Sequence, residues 1–225
     1  MNWSWMLPET VSTYGPAIDQ MYYIILVITG VVFFLTEGLL IAFLVMYRHK
    51  DGRKAAYIHV STKAEVIWTV TPFLIVMSIA LASKSSWDLV KNPANFPADA
   101  MQVVVTAKQF EWNVTYAGAD GRIGTADDFT SRNQLHVPVD KVVSVNLRSE
   151  DVIHSFFLPD FRLKQDAVPG KEISVWFEAT RTGEFTLGCA ELCGLGHYRM
   201  KGTVFVHTEA DFQSWAASRA EEEQQ

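Results

Sequence analysis

Hydrophobic and polar positions divide the chain into two unlike parts. Residues 21–47, MYYIILVITGVVFFLTEGLLIAFLVMY, form an almost unbroken apolar run in which Glu37 is the one strongly ionisable side chain. A second run over residues 66–82, VIWTVTPFLIVMSIALA, carries no charge at all. Crossing a bilayer takes about 20 apolar residues, so the first run predicts a full span and the second a span near the lower limit. Pro72 is acceptable there, because neighbouring helices and Thr hydroxyls take up freed backbone groups. Neither run has the form of a cleaved signal: the first starts late, lacks a basic lead and is too long. Two retained helices, over about 18–48 and 65–84, are expected.

Beyond them the pattern shortens. After a Pro- and Asn-rich stretch over residues 85–100 that reads as a linker, β-branched runs follow at 101–116, 141–149, 154–158, 172–179, 184–189 and 202–207. Short strands punctuated by Gly, Pro and Asp, with no helical period between them, predict a β-sandwich or barrel. Thr208 and Asp211 are spaced as a capping box, predicting a helix from Glu209 to about Ala220 and a frayed EEEQQ tail. The expected organisation is a membrane hairpin (1–84), a linker (85–100) and an all-β domain with a short terminal helix (101–225).

Charge orients this plan. The connection between the apolar runs carries Arg48, Lys50, Arg53, Lys54 and Lys63, whereas residues 1–20 carry no Lys or Arg. The positive-inside rule makes that connection cytoplasmic, so the amino terminus and everything after the second run face outward. From Ser85 onward, 13 Lys and Arg stand against 20 Asp and Glu, a net charge of −7. That sign argues against nucleic acid; it suits a basic protein partner, or simply solubility.

The two cysteines of the chain both lie in GCAELCGLGHYRM, residues 188–200, which reads C-x3-C-x3-H-x2-M. A disulfide explains the cysteines but not the histidine and methionine. Thiolate, imidazole and thioether together make a soft ligand set that suits copper better than magnesium, calcium or manganese. Predicted strands flank the loop, and His154, at the head of another strand, can supply an upstream ligand. A mononuclear blue site needs one Cys, two His and a weak axial ligand, which leaves one thiolate over. Two bridging sulfurs accommodate a copper pair, with His154 and His197 on one ion each, and Met200 and the Glu191 carbonyl as weak ligands. Such a centre moves electrons. The other histidines, His49, His59, His136 and His207, lack partners at ligand spacing and are expected in loops or at the surface.

Together with AEVIWTVTP, KQFEW, VIHSFFLP and LKQDAVPG, this loop closely resembles subunit II of the haem-copper cytochrome c oxidases, along nearly the whole chain. The resemblance implies a cupredoxin sandwich holding a dinuclear copper centre, CuA, on His154, Cys189, Glu191, Cys193, His197 and Met200. It also implies that the Glu191 carboxylate reaches a magnesium or manganese ion shared with subunit I. Glu65 matches a glutamate near the mouth of a proton path, although a carboxylate in a first helical turn also simply favours the helix dipole. Phe110 stands where the family commonly has a tryptophan for electron uptake, while Trp112 agrees with the pattern. Both are candidates for that role.

Implied partners are subunit I, which holds the haems, subunit III, membrane lipid, and cytochrome c or a membrane-held c-type carrier. A start at Met with no presequence leads to the expectation of a bacterial cytoplasmic membrane, and no catalytic residue is expected on this chain. No C-x2-C-H sequence is present for covalent haem, so an external donor must deliver electrons. The Gly- and Asp-rich stretch 117–134 departs from the family pattern. Its Asp120, Asp127 and Asp128 are expected in a solvated loop, with calcium binding or a contact in a larger respiratory assembly as alternatives.

Overall fold

The computed structural model describes residues 7–54, 56, 57, 59–92, 94 and 96–223, with the backbone alone at Glu223. Parts of the expected linker and the Gln224–Gln225 end of the tail lie outside the described residues. Two compact units are present: one spans 17–87, and the other combines 88–225 with 1–16.

The first unit is helical. α1 covers Gly15–Met46 and α2 covers Thr62–Lys91, and both are long and apolar enough to cross a membrane. At about 1.5 Å per residue each exceeds the roughly 30 Å of a hydrocarbon core. Their large apolar side chains face outward, Phe34 at 76% exposure and Leu81 at 69%, as a lipid-facing surface requires. Thr29 and Thr36 turn their hydroxyls back onto carbonyls of the preceding turn, which hides them from lipid. Ser61 caps α2 by accepting from the Ala64 N–H, and Glu65 stands exposed in the first turn. α2 extends past the predicted end because SSWDLVK continues the helix without a breaker until the Asn- and Pro-containing stretch.

The second unit is a sandwich of two five-stranded sheets. Its strands are β1 (Met101–Lys108), β2 (Glu111–Tyr116), β3 (Phe129–Arg132), β4 (Gln134–Pro138), β5 (Val142–Ser149), β6 (His154–Leu158), β7 (Leu163–Ala167), β8 (Ile173–Glu178), β9 (Gly183–Cys189) and β10 (Lys201–His207). One sheet runs β3-β2-β1-β5-β8 and the other β4-β10-β9-β6-β7. The inward residues alternate along the strands, as a sheet with one buried face demands, and Val103, Val105, Val145, Leu147, Phe156 and Leu187 are all fully buried.

Several expectations change. The run 101–116 is two strands, because the chain reverses at Gln109–Phe110 and β2 folds back on β1, Lys108 opposite Glu111. β3, β4 and β7 are additional, and β3 lies inside the Gly- and Asp-rich stretch 117–134. The terminal helix, α3 (Glu209–Glu223), has the expected cap: the Asp211 N–H donates to Thr208 Oγ1 at 3.2 Å and the Thr208 hydroxyl donates to Asp211 at 2.7 Å. Glu221–Glu223 continue that helix rather than fray.

His136 and His207 are strand residues, the first buried and the second half-buried. Their rings lie 2.8 Å apart between Nδ1 and Nε2, and His136 is clamped between Phe205 and Trp215 of α3. The segment before α1 also joins the sandwich. The Val11 N–H donates to the Asp160 carbonyl at 2.8 Å, the Thr180 N–H to the Val11 carbonyl at 2.9 Å, and Tyr14 packs edge-on against Trp176.

Candidate metal centre

β6, β9 and β10 bring the sulfur- and nitrogen-bearing residues of the predicted loop to one end of the sandwich. β9 ends at Cys189 and β10 begins at Lys201, and the Cys189 N–H donates to the Met200 carbonyl at 3.2 Å, closing the base of the loop. β6 runs beside β9 with Phe156 opposite Cys189, which places His154 at the head of its strand next to the loop.

The predicted residues converge there. Cys189 and Cys193 are free, their Sγ atoms 3.8 Å apart, well beyond the roughly 2.05 Å of a disulfide. Ligand atoms of His154, Cys189 and Cys193 all lie within 4.8 Å of one another, the one such cluster among the described residues. Met200 Sδ is 3.7 Å from Cys193 Sγ and 3.2 Å from His154 Nδ1. His197 Nδ1 is 3.7 Å from Cys193 Sγ, and the Glu191 carbonyl accepts from the Cys189 thiol at 3.2 Å. Two unpaired sulfurs, two imidazoles, a thioether and a carbonyl therefore share one space, a donor set that fits copper.

Asp151 and Gln109 hold this arrangement and were not singled out in the sequence. His154 is fully buried and donates from Nε2 to Asp151 at 2.8 Å, so its Nδ1 is left facing the sulfurs. Partial burial works against ionisation of Asp151. Hydrogen bonds from His154 and from the Gln109 and Val152 N–H groups outweigh it and hold the carboxyl below its ordinary value. Gln109 also donates its side-chain amide to the Cys193 carbonyl at 2.5 Å. An acid three residues before the strand-heading histidine was the available signal, since a ligating imidazole wants an anionic partner on its other nitrogen. Burial first, and then the neighbouring Cys189, push the Cys193 thiol up from its ordinary value; a cation held there would favour the thiolate by offsetting its charge.

The two aromatic candidates part company. Trp112 is completely buried, its ring 6.2 Å from that of His154, and cannot touch another protein. Phe110 is half-buried against the ligand loop. A Cβ on Gly196 would stand 2.4 Å from its ring and one on Gly194 3.2 Å, so these glycines let the loop press on Phe110. In the 117–134 stretch the carboxylates already serve the turn: Asp120 accepts from the Arg122 N–H, Asp127 from the Asp120 N–H and Asp128 from the Gly124 N–H.

Fold and site together define a membrane-anchored cupredoxin whose two cysteines share one loop. The chain matches the family described as cytochrome c oxidase subunit II, periplasmic domain, over residues 101–206, and its transmembrane-domain counterpart over residues 1–85. It is 34% identical to the alternative cytochrome c oxidase subunit 2 of Bradyrhizobium diazoefficiens, across 94% of this chain and 82% of that protein. Cytochrome c oxidase subunit 2 of Thermostichus vulcanus is 30% identical, across 93% of this chain and 77% of that one. The solved periplasmic domain of subunit II of cytochrome oxidase of Bradyrhizobium japonicum superposes with a TM-score of 0.51 at 31% identity, covering 56% of this chain and 98% of that domain. The chain belongs to the cytochrome c oxidase subunit II family.

Proposed function

We propose that this subunit takes up electrons for its oxidase through a dinuclear copper centre held by Cys189, Cys193, His154, His197, Met200 and the Glu191 carbonyl. The observation that carries this reading is the convergence of two unpaired sulfurs 3.8 Å apart with both histidine Nδ1 atoms and the Met200 sulfur. When bound, such a centre accepts and releases one electron at a time. The polypeptide keeps the ligands where they are. Asp151 fixes the tautomer and direction of His154, Trp112 packs against that ring and Phe156 against Trp112, and paired strands anchor both ends of the loop. A frame that does not move between redox states spares each transfer a reorganisation.

In this reading a c-type cytochrome or membrane-held carrier donates at Phe110, and the electrons pass to the haem of subunit I, where oxygen is reduced and protons are moved. No bond chemistry falls to this chain. The Glu191 carboxylate serves a magnesium or manganese ion shared with subunit I, and Glu65 lies at the mouth of a proton path. Subunit III and a larger respiratory assembly are further partners. The setting is a bacterial cytoplasmic membrane with both flanks of the hairpin outside. Residues 7–16 and 88–223 belonging to one unit support that topology, since it requires an even number of crossings.

The test is Cys193→Ser in the assembled oxidase. The reading expects loss of reduction by a c-type cytochrome, with the haem spectrum and oxygen binding of subunit I intact. Unchanged reduction in that variant refutes it.

A further inference from the structure

The sandwich unit is acidic overall, but its charge is sorted along the strands. The turn joining β2 to β3 carries Asp120, Asp127 and Asp128, and α3 opens with Glu209 and Asp211. β1 and β2 pair with Val103 opposite Tyr116 and Lys108 opposite Glu111, so that turn lies at the opposite end of the sheet from Phe110. β10 begins beside the ligand loop, Lys201 opposite Gly188, and ends at His207, where α3 starts. These acids therefore lie at the end away from the candidate ligands.

At the ligand end most acids are already engaged. Glu111 is paired with Lys108 at 3.1 Å and with Arg132, and Glu172 with Arg148 at 2.9 Å. Asp151 serves His154 and two backbone N–H groups. Of the exposed acids left there, Glu150 and Glu191, the second is the one expected to turn towards subunit I.

What this end presents instead is apolar: Leu195 is 97% exposed and Tyr198 85%. The Arg199 guanidinium lies 5.8 Å from the centroid of Phe110, so a cation stands beside that ring. An apolar patch continuous with a redox site reads as an interaction surface. With its acids paired and a cation at its centre, it offers little to a ring of lysines.

We infer that Phe110, Leu195, Tyr198 and Arg199 form the docking rim for the electron donor, and that the donor it selects is a one-electron carrier whose redox group is framed by apolar, non-basic surface. This inference rests on the electron-accepting role proposed above. It replaces the basic partner expected from net charge, because the charge that suggested that partner lies mostly at the far end. Contact here is hydrophobic, so it gains little from charge steering and loses little to salt.

The test uses the assembled oxidase with two probes, a lysine-ringed c-type cytochrome and the same cytochrome with its lysines acetylated. Acetylation is expected to leave the rate constant of reduction within about twofold or to raise it, with little change between about 20 and 300 mM ionic strength. Leu195→Ser with Tyr198→Ser should lower the rate about tenfold at unchanged copper content, in the range of losing two apolar contacts. The inference is overturned by a roughly tenfold fall on acetylation, by a steep salt dependence, or by no reduction from either probe. An unchanged rate in the double variant also overturns it and places another subunit over the rim. Ascorbate with a small mediator dye separates the two levels. If that pair reduces the centre, failure lies with the rim alone; if it cannot, the electron-accepting role falls as well.

Discussion

Acid should loosen the sandwich through His136. Its ring is stacked on Trp215 at 3.9 Å and on Phe205 at 4.6 Å, only 6% of the residue is exposed, and Nδ1 meets His207 Nε2 at 2.8 Å. Burial, followed by the nearby His207 and Arg219, lowers its pKa from 6.5 to about 4. The folded value lies below the unfolded one, so the unfolded chain binds the proton first. The stability that depends on neutral His136 is complete above pH 6.5 and drains away as the pH falls towards 4. At about 1.4 kcal/mol per pKa unit, the loss by pH 4 is about 3 kcal/mol, a large share of a typical domain's 5–15 kcal/mol.

The experiment is urea unfolding of the detergent-solubilised chain at pH 7 and pH 4, followed by tryptophan fluorescence, for the natural chain and for His136→Phe. Phenylalanine keeps a flat ring in the stack and removes the titration. The natural chain should lose about 3 kcal/mol more than the variant over that interval. Parallel losses in the two chains would refute the assignment of the acid sensitivity to this ring.

Three further outcomes are expected. Asp151→Asn removes the anionic partner of His154 and should weaken copper retention about 10- to 100-fold against a chelator competitor; retention equal to the natural chain would count against its orienting role. Met200→Leu should shift the reduction potential while leaving copper content nearly intact, because a thioether is a weak ligand; metal analysis beside a redox titration decides it, and loss of both coppers contradicts it. Tyr14→Ala should destabilise the sandwich by about 3 kcal/mol, since this 3%-exposed ring packs on Trp176. Unfolding unchanged by that substitution would show that the leading segment contributes nothing.

The convergence of the candidate ligands was legible in the sequence because Cys189, Cys193, His197 and Met200 lie so close in the chain that one loop must carry them, and His154 heads a clear apolar strand. The helices were legible because a lipid-facing run is apolar on every side. β3 and β7 were not. β3 has four residues, and β7, LKQDA, buries only its two ends as a sheet-edge strand, so neither shows a sustained alternation. The docking of Val11 and Tyr14 has no periodic signature at all, since it rests on a few hydrogen bonds to distant residues. The same holds for Asp151 and Gln109, whose importance is set by what the fold brings to them. Net charge is uninformative about docking for a related reason: composition records how much charge a domain has and says nothing of which end carries it.

The most direct test of the central claim is the electron paramagnetic resonance spectrum of the copper-loaded chain, taken with its copper content. Two coppers per chain, with hyperfine structure from one electron shared equally between two nuclei, is the predicted result. A single localised copper, or none with Cys189 and Cys193 joined as a disulfide, would contradict it.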